Sequence, residues 1–415
     1  MKKMIKLFTT TLKMIVLGGF IASTPLASVS AKETTRANQD ALSQIHAEER
    51  AQRVSNIEYH ISIDLTAADD RFLGRTKISF ELSEIANQPD LTVDFSGGQI
   101  ESVTINDMPV RPQYNGAFLT FPGAYLKSGS NDVQISYQHD YSKDGTGLHH
   151  FQDPVDGQRY LYTYLWPYYA NRVFPNFDQP DLKAVFNLMV LAPRGWQVVS
   201  TTRESHVRDL GDKVRWSFPP TQKMSSYIFS LHAGPYKMWE SDEGPVPMRL
   251  FARQSLADYV AVDEWFDVTA KGLNFFNDYY DIPYPFEKYD QLIVPDFNIG
   301  AMENIAAVTF TENYVSRGQE STAAREGRAS TILHEMAHMW FGDLVTKKWW
   351  NGLWLNESFA TQMASIALRE VTEFQSGSHR FFLSSKRTAY AVDDRVSTHP
   401  IEMQVPSTAD FYTVF

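Results

Sequence analysis

Hydrophobic residues repeat with two different periods along the chain, and this change limits the possible folds more than any other feature. In the segment 57–65 every odd position is apolar and every even position is polar, the pattern of a strand with one buried face. The same alternation recurs in three later runs: 78–82, 103–105 and 133–137. Beyond a polar, proline-containing stretch at 240–247, apolar residues recur at helical spacing. The sequence therefore predicts an α+β multidomain fold, with an all-β saddle or sandwich domain (32–240) before a domain that contains the helices (241–415).

Three helical segments are predicted in the second domain. Ser255 can cap the first, which carries apolar side chains on one face between positions 262 and 276 and is ended by two prolines. The other two segments run over about 322–341 and 353–371. Gly342 stands where the earlier of these two should stop.

The first 31 residues form a predicted secretory signal peptide. Four lysines precede an apolar stretch at 14–22, and small residues at 29–31 occupy the positions that a signal peptidase reads. The apolar stretch is well short of the roughly 20 residues needed to cross a bilayer, which argues against a membrane anchor. The sequence contains no other long apolar run. We therefore expect an exported protein, periplasmic or extracellular, with no membrane span after removal of the signal peptide.

Composition excludes several classes of partner and site. The chain has 38 Lys and Arg against 49 Asp and Glu, a formal net charge of -11, and no basic cluster, so the sequence indicates no nucleic acid partner. It has no cysteine, which excludes disulfides and thiolate metal sites. Any metal ion must then be held by His, Asp and Glu. The oligomeric state has no signature in the sequence.

Two histidines one helical turn apart form the strongest candidate metal site. His334 and His338 occupy positions i and i+4 of a predicted helix, so both imidazoles can reach one ion. Glu335 follows the first histidine, which places a carboxylate beside the ion, where a base for a water molecule should stand. Glu357, nineteen residues after His338 on the next helix, favours a metal site over two surface histidines. Three protein ligands leave a fourth position for water, as in catalytic zinc sites.

A second motif, Gly-Ala-Met-Glu-Asn at 300–304, stands about thirty residues before the histidine pair. Together with that pair and the runs 340–350 and 174–181, it resembles the M1 family of zinc metallopeptidases, in particular the aminopeptidase N group. The resemblance extends from about residue 49 to the end of the sequence. It implies a thermolysin-like (gluzincin) catalytic domain after the β domain. It also implies that this sequence corresponds to the N-terminal portion of a family member and lacks the family's C-terminal region.

The resemblance also implies roles for individual residues. His334, His338 and Glu357 would bind one zinc ion per chain. Glu335 would act as general base. Glu303 would pair with the protonated α-amine of a peptide substrate and so select a free N-terminus. The remaining motif residues would contact the substrate or support those that do: Gly300, Ala301, Met302 and Asn304.

Two departures from the family pattern affect the expected activity. Where relatives usually carry a Glu or Gln that helps to hold the amine, this chain has Trp166, and Tyr164 stands where Gln is frequent. We expect one polar amine contact to be missing, with Trp166 either a wall of the specificity pocket or a packed core aromatic. The family's oxyanion-stabilising tyrosine is expected just beyond Phe415, and Tyr412 lacks the sequence context of that tyrosine. These departures predict a fragment with impaired activity.

The leading functional hypothesis is an aminopeptidase that acts on peptides with a free N-terminus through a metal-activated water. A secreted thermolysin-like endopeptidase is the first alternative, although Glu303 argues against it because a carboxylate that faces an amine helps only at a free N-terminus. A second alternative is a fragment that binds zinc and peptide without turnover. Epoxide hydrolysis, known in one branch of the family, ranks lowest because the segment around Trp349 resembles the aminopeptidase N branch.

Overall fold

A computed structural model describes residues 36–85, 88–375, 379 and 381–413 of the 415-residue chain. The signal peptide predicted at 1–31 lies outside the described residues. Strands account for most of the regular secondary structure as far as residue 252, and the long helices follow. The predicted α+β fold, with a β-rich part before a part that contains the long helices, is confirmed. The first part is not all-β as predicted, because it includes a ten-residue helix at Gln44–Arg53.

The largest sheet has eight strands and frames the β-rich part. In spatial order its strands are β13 (His206–Asp209), β14 (Lys213–Phe218), β11 (Ala184–Pro193), β1 (Val54–Asp64), β2 (Arg71–Leu82), β8 (Gly129–Asp140), β4 (Gln99–Ile105) and β5 (Met108–Pro109). β1 runs parallel to β11, and the other neighbouring pairs are antiparallel. The odd-numbered apolar residues of β1 that were predicted to face inward, such as Ile57, Tyr59 and Ile61, are buried.

Two smaller sheets complete the β-rich part and share its core. The four-stranded sheet has the order β12 (Gln197–Ser200), β15 (Leu231–Gly234), β10 (Arg159–Tyr164) and β9 (Gly147–Gln152). The three-stranded sheet has the order β3 (Leu91–Asp94), β7 (Phe118–Phe121) and β6 (Gln113–Tyr114). β10 ends at Tyr164, so this sheet leads directly to Trp166.

A five-stranded sheet opens the second part of the chain. Its order is β16 (Lys237–Ser241), β17 (Met248–Ala252), β18 (Tyr289–Val294), β20 (Ala307–Thr311) and β19 (Ala301–Met302). β17, β18 and β20 are parallel and buried along their whole length, as expected of a sheet covered on both faces. β19 pairs with β20 in the antiparallel sense and carries the second and third residues of the 300–304 motif. The domain boundary predicted at 240 falls within β16 and stays a prediction.

Helix α1 (Gln44–Arg53) precedes β1, and α2 (Val262–Tyr280) follows β17. The predicted cap of α2 at Ser255 is wrong, because Ser255 lies in a 3-10 helix and its hydroxyl donates to Asp153 Oδ2 at 2.5 Å. A π-helical segment (Phe381–Lys386) leads into α5 (Arg387–Asp393). Short 3-10 helices occur at Gly123–Tyr125, Ala170–Arg172, Ser226–Ile228, Gln254–Tyr259, Glu312–Tyr314, Trp350–Gly352 and Thr408–Thr413.

Two adjacent helices, α3 (Thr322–His338) and α4 (Leu353–Val371), carry the candidate metal ligands. The bounds of α4 agree with the prediction, whereas α3 ends three residues before the predicted position 341. The chain turns there because the Asp343 N–H bonds back to the His338 carbonyl and Gly342 has a φ of 136°. Leu333 and Met336 of α3 and Ala360 and Ala364 of α4 lie in one buried cluster, which fixes how the two helices face each other. None of the helices among the described residues is both long and apolar enough to span a bilayer.

Candidate metal centre

The last turn of α3 and the first half of α4 bring the three predicted metal ligands together. His334 Nε2 and His338 Nε2 are 3.0 Å apart. Glu357 Oε2 lies 3.5 Å from the former and 3.7 Å from the latter. Ligand atoms placed tetrahedrally at about 2.0–2.1 Å from zinc are about 3.3–3.4 Å from one another, so the observed separations bracket that value. Two imidazoles and one carboxylate, arranged in this way, fit a catalytic zinc ion.

The outer nitrogen of His338 has two hydrogen-bond acceptors. Its Nδ1 lies 3.0 Å from the Phe341 carbonyl oxygen and 3.2 Å from Asn356 Oδ1. Donation of the Nδ1 proton to these oxygens leaves the Nε2 lone pair directed at His334 and Glu357. Asn356 was not among the site residues predicted from the sequence, and the signal that could have revealed it was its position directly before Glu357.

The close approach of Asn356 to His338 requires a glycine at position 342. A Cβ atom added to Gly342 would lie 2.2 Å from Asn356 Oδ1 and 3.3 Å from His338 Nδ1. The φ of 136° also disfavours any residue with a side chain. The turn after α3 therefore fixes one of the interactions that orient His338.

Replacing Gly342 with alanine should weaken zinc binding by about 10- to 100-fold, because the new methyl group displaces Asn356 from His338. Competition with a chromogenic chelator measures the affinity. Gly318→Ala is the matched control, since nothing lies within 4 Å of a Cβ built there. Equal zinc affinities for the two variants would contradict the role given to this turn.

Glu303 lies beside the metal ligands rather than on the protein surface. It follows β19, is only 4% exposed and accepts a hydrogen bond from Asn356 Nδ2 at 3.0 Å through Oε1. The ligand atoms of Glu303, Glu335 and His338 lie within 4.8 Å of one another. Asn356 thus joins the residue predicted to hold the substrate amine to a predicted metal ligand.

Buried carboxylates give the site a negative potential. Burial raises the pKa of Glu335 well above its usual range, and Glu303 and Glu357 add to this. Burial alone would lower the pKa of His338, but the same two carboxylates raise it well above its usual value. This potential favours a divalent cation between the imidazoles, and the cation would in turn lower the pKa of Glu335. Glu335 is therefore placed where it can accept and release a proton.

A cavity of about 360 Å³ opens onto these groups. Glu303, Glu335 and the three predicted ligands form its charged and titratable lining. The other lining residues are neutral: Trp166, Ile299, Gly300, Ala301, Met302, Ser330, Thr331, Thr361 and Ala364. Trp166 lines the cavity and is only 4% exposed, as a packed core aromatic would be. Its role as a wall of a specificity pocket stays a prediction.

Tyr164 and Asn304 lie outside the described lining of the cavity. The ring of Tyr164 lies 6.4 Å from that of Trp166. Asn304 donates from Nδ2 to the Phe229 carbonyl at 3.2 Å and accepts from Thr309 Oγ1 at 2.8 Å, which suits a supporting residue. Contact of Tyr164 or Asn304 with the substrate stays a prediction.

Tyr412 lies near the cavity without lining it. Its hydroxyl is 3.3 Å from that of Tyr169, and its ring lies 6.2 Å from that of Trp166. Tyr412 is not among the residues that the structure places around the predicted ligands. The decision from sequence to leave it without an oxyanion role therefore stays a prediction.

Comparison with known proteins places both parts of the chain in one family. The model of the peptidase M1 N-terminal domain matches residues 55–228, and that of the peptidase family M1 domain matches residues 264–415. Aminopeptidase N of Streptomyces lividans is 40% identical over 384 residues, which cover 90% of this chain and 44% of that protein. Aminopeptidase N of Rattus norvegicus is 33% identical over 287 residues, 67% of this chain and 30% of that protein.

A probable aminopeptidase 1 of Sulfurisphaera tokodaii is 37% identical over 267 residues, 63% of this chain and 33% of that protein. The chain thus spans less than half the length of these relatives. The resemblance inferred from the motifs is confirmed. Since models of two successive domains of one family match in the expected order, the chain belongs to peptidase family M1.

Proposed function

We propose that this chain carries the metal centre of a zinc-dependent aminopeptidase, with one zinc ion held by His334, His338 and Glu357. The observation that carries the proposal is the position of Glu303 next to Glu335 and His338. In a peptide the α-amine nitrogen is about 2.5 Å from the first carbonyl carbon by standard bond lengths and angles. A carboxylate that holds the amine must then lie within a few ångströms of the reacting carbonyl, and the position of Glu303 beside Glu335 and His338 supports this role.

Each residue of the site has a step in the proposed reaction. Zinc, when bound, supplies a Lewis acid that polarises the carbonyl and activates water. Glu303 binds the protonated amine and sets the first peptide bond at the reaction centre. Glu335 removes a proton from the attacking water and delivers it to the leaving amine. Asn356 orients Glu303 and His338 relative to each other through a hydrogen bond to each of them.

Glu303→Gln should lower kcat/KM for an alanine anilide by about 30- to 4,000-fold, because loss of one partner of a buried charge pair costs about 2–5 kcal/mol. Zinc content should stay at one per chain, and the exposed Glu101→Gln should match the unmodified protein. The N-acetylated anilide should not be cleaved by any variant. Cleavage of the acetylated and free substrates at equal rates would favour the endopeptidase.

Metal dependence is checked with the same substrates. Chelation should abolish turnover, and addition of one equivalent of zinc should restore it. Zinc retained at one equivalent without any turnover would instead favour a fragment that binds zinc and peptide.

We further propose that the mature protein is exported, on the strength of the signal peptide predicted at 1–31. Cell fractionation tests this: retention in the cytoplasm would overturn it.

A further inference from the structure

The indole of Trp166 forms one wall of the cavity and is held from behind by other aromatic rings. Phe411 lies closest, with its ring centroid 4.5 Å from that of Trp166 at an interplanar angle of 89°. Phe411 also contacts Trp350, at 5.0 Å and 79°. The two indoles themselves are 6.5 Å apart. Phe411 therefore packs between the two indoles, makes an edge-to-face contact with each of them, and is fully buried.

The segment that carries Phe411, residues 405–413, is attached to two other parts of the fold. The Val405 carbonyl accepts a hydrogen bond from Trp349 Nε1 at 2.7 Å. The Thr408 N–H donates to the Leu42 carbonyl at 2.9 Å, and the Leu42 N–H donates to Thr408 Oγ1 at 3.0 Å. These bonds leave Phe411 little freedom to withdraw from Trp166.

The neutral part of the cavity lining indicates which first residue of a peptide it can accept. Apart from Glu303, Glu335 and the predicted ligands, the described lining offers no charged group that could pair with an ionised side chain. A volume of about 360 Å³ is near the lower end of the range for ligand pockets, and it must hold the amine as well as the side chain. Both observations favour small and medium-sized neutral first residues.

We propose that Phe411 is a positioning residue that fixes the Trp166 wall and thereby restricts the cavity to small and medium-sized neutral first residues of peptides. This inference rests on the proposed aminopeptidase function. Phe411 touches no substrate and acts through Trp166. Removal of its ring leaves a space behind the indole that the surrounding structure fills only in part, so the indole can move back and the cavity becomes larger.

The test compares anilides of alanine, leucine and phenylalanine. Phe411→Ala should raise kcat/KM for the phenylalanine anilide relative to the alanine anilide by about tenfold, the low end of what a pocket contact contributes to discrimination. Trp166→Ala should produce a similar or larger change. In the double variant, Phe411→Ala should add nothing further, because both substitutions act on the same wall. Phe411→Leu keeps much of the volume and should give an intermediate ratio, so the test survives if the alanine variant fails to fold.

Phe382→Ala removes an exposed phenyl ring and is the matched control. An unchanged substrate ratio in a folded Phe411→Ala protein would overturn the inference, as would full additivity with Trp166→Ala. Calorimetric binding of alaninamide and phenylalaninamide to proteins that also carry Glu335→Gln measures the same selectivity with turnover suppressed. If none of the proteins cleaves an anilide but Phe411→Ala still shifts amide binding toward phenylalaninamide, the proposed function fails while the role of Phe411 stands.

Discussion

Replacing Glu335 with glutamine should lower kcat by about 10²- to 10⁴-fold, the range that a positioned acid or base contributes. Glutamine keeps the size of the side chain and can still form hydrogen bonds, but it cannot accept the proton of the attacking water. Glu335 is only 5% exposed and lies within 4.8 Å of the ligand atoms of His338 and Glu303, so bulk water has little access to replace it. KM should change little, because the amine is held by Glu303.

Zinc content separates two roles that Glu335 could have. The ligand atoms of Glu303, Glu335 and His338 form a second group compact enough to hold an ion. If Glu335 is the base, the variant keeps one zinc per chain by atomic absorption. Loss of zinc together with activity would make Glu335 a ligand and contradict the proposed mechanism. Glu370→Gln, an exposed carboxylate on α4, should retain full activity and serves as control.

The parts of this protein that were predictable are those set by local geometry. The alternation that identified β1 follows from the two-residue period of any extended chain, and its predicted inward residues are buried. The pairing of His334 with His338 follows from the helical rise, and Glu335 is fixed by its place between them. The bounds of α4 were predictable because its apolar pattern is regular from Leu353 to Val371.

Contacts between segments that are distant in the sequence have no comparable local pattern from which they could be predicted. β1 pairs in parallel with β11 although partners such as Ile57 and Ala184 are 127 residues apart, and many other pairings would bury the same faces. Asn356 can reach Glu303 and His338 only after β19, α3 and α4 have packed together. The need for glycine at position 342 likewise arises from the approach of Asn356, which is fourteen residues away in sequence.

Replacing Asp94 with asparagine should lower the free energy of unfolding by about 3–5 kcal/mol, because it leaves two buried cations without their counter-ion. Asp94 Oδ1 lies 2.5 Å from an Arg36 guanidinium nitrogen, and Oδ2 lies 2.8 Å from one of Arg50. All three side chains are almost completely buried. Asp209→Asn is the control, because its pair with Arg194 at 3.1 Å is exposed and should contribute about 0–1 kcal/mol. Urea titration gives both values, and equal losses would contradict the prediction.

The pH dependence of this loss tests whether charge is its origin. Burial alone would raise the pKa of Asp94, but Arg36 and Arg50 lower it to about 2. Because the pKa is lower in the folded than in the unfolded chain, the stabilisation is fully present above pH 4 and is lost as the pH falls toward 2. This contribution amounts to about 2.5 kcal/mol. The stability difference between the unmodified protein and Asp94→Asn should therefore shrink by about 2 kcal/mol between pH 5 and pH 2, whereas a difference independent of pH would indicate a packing defect.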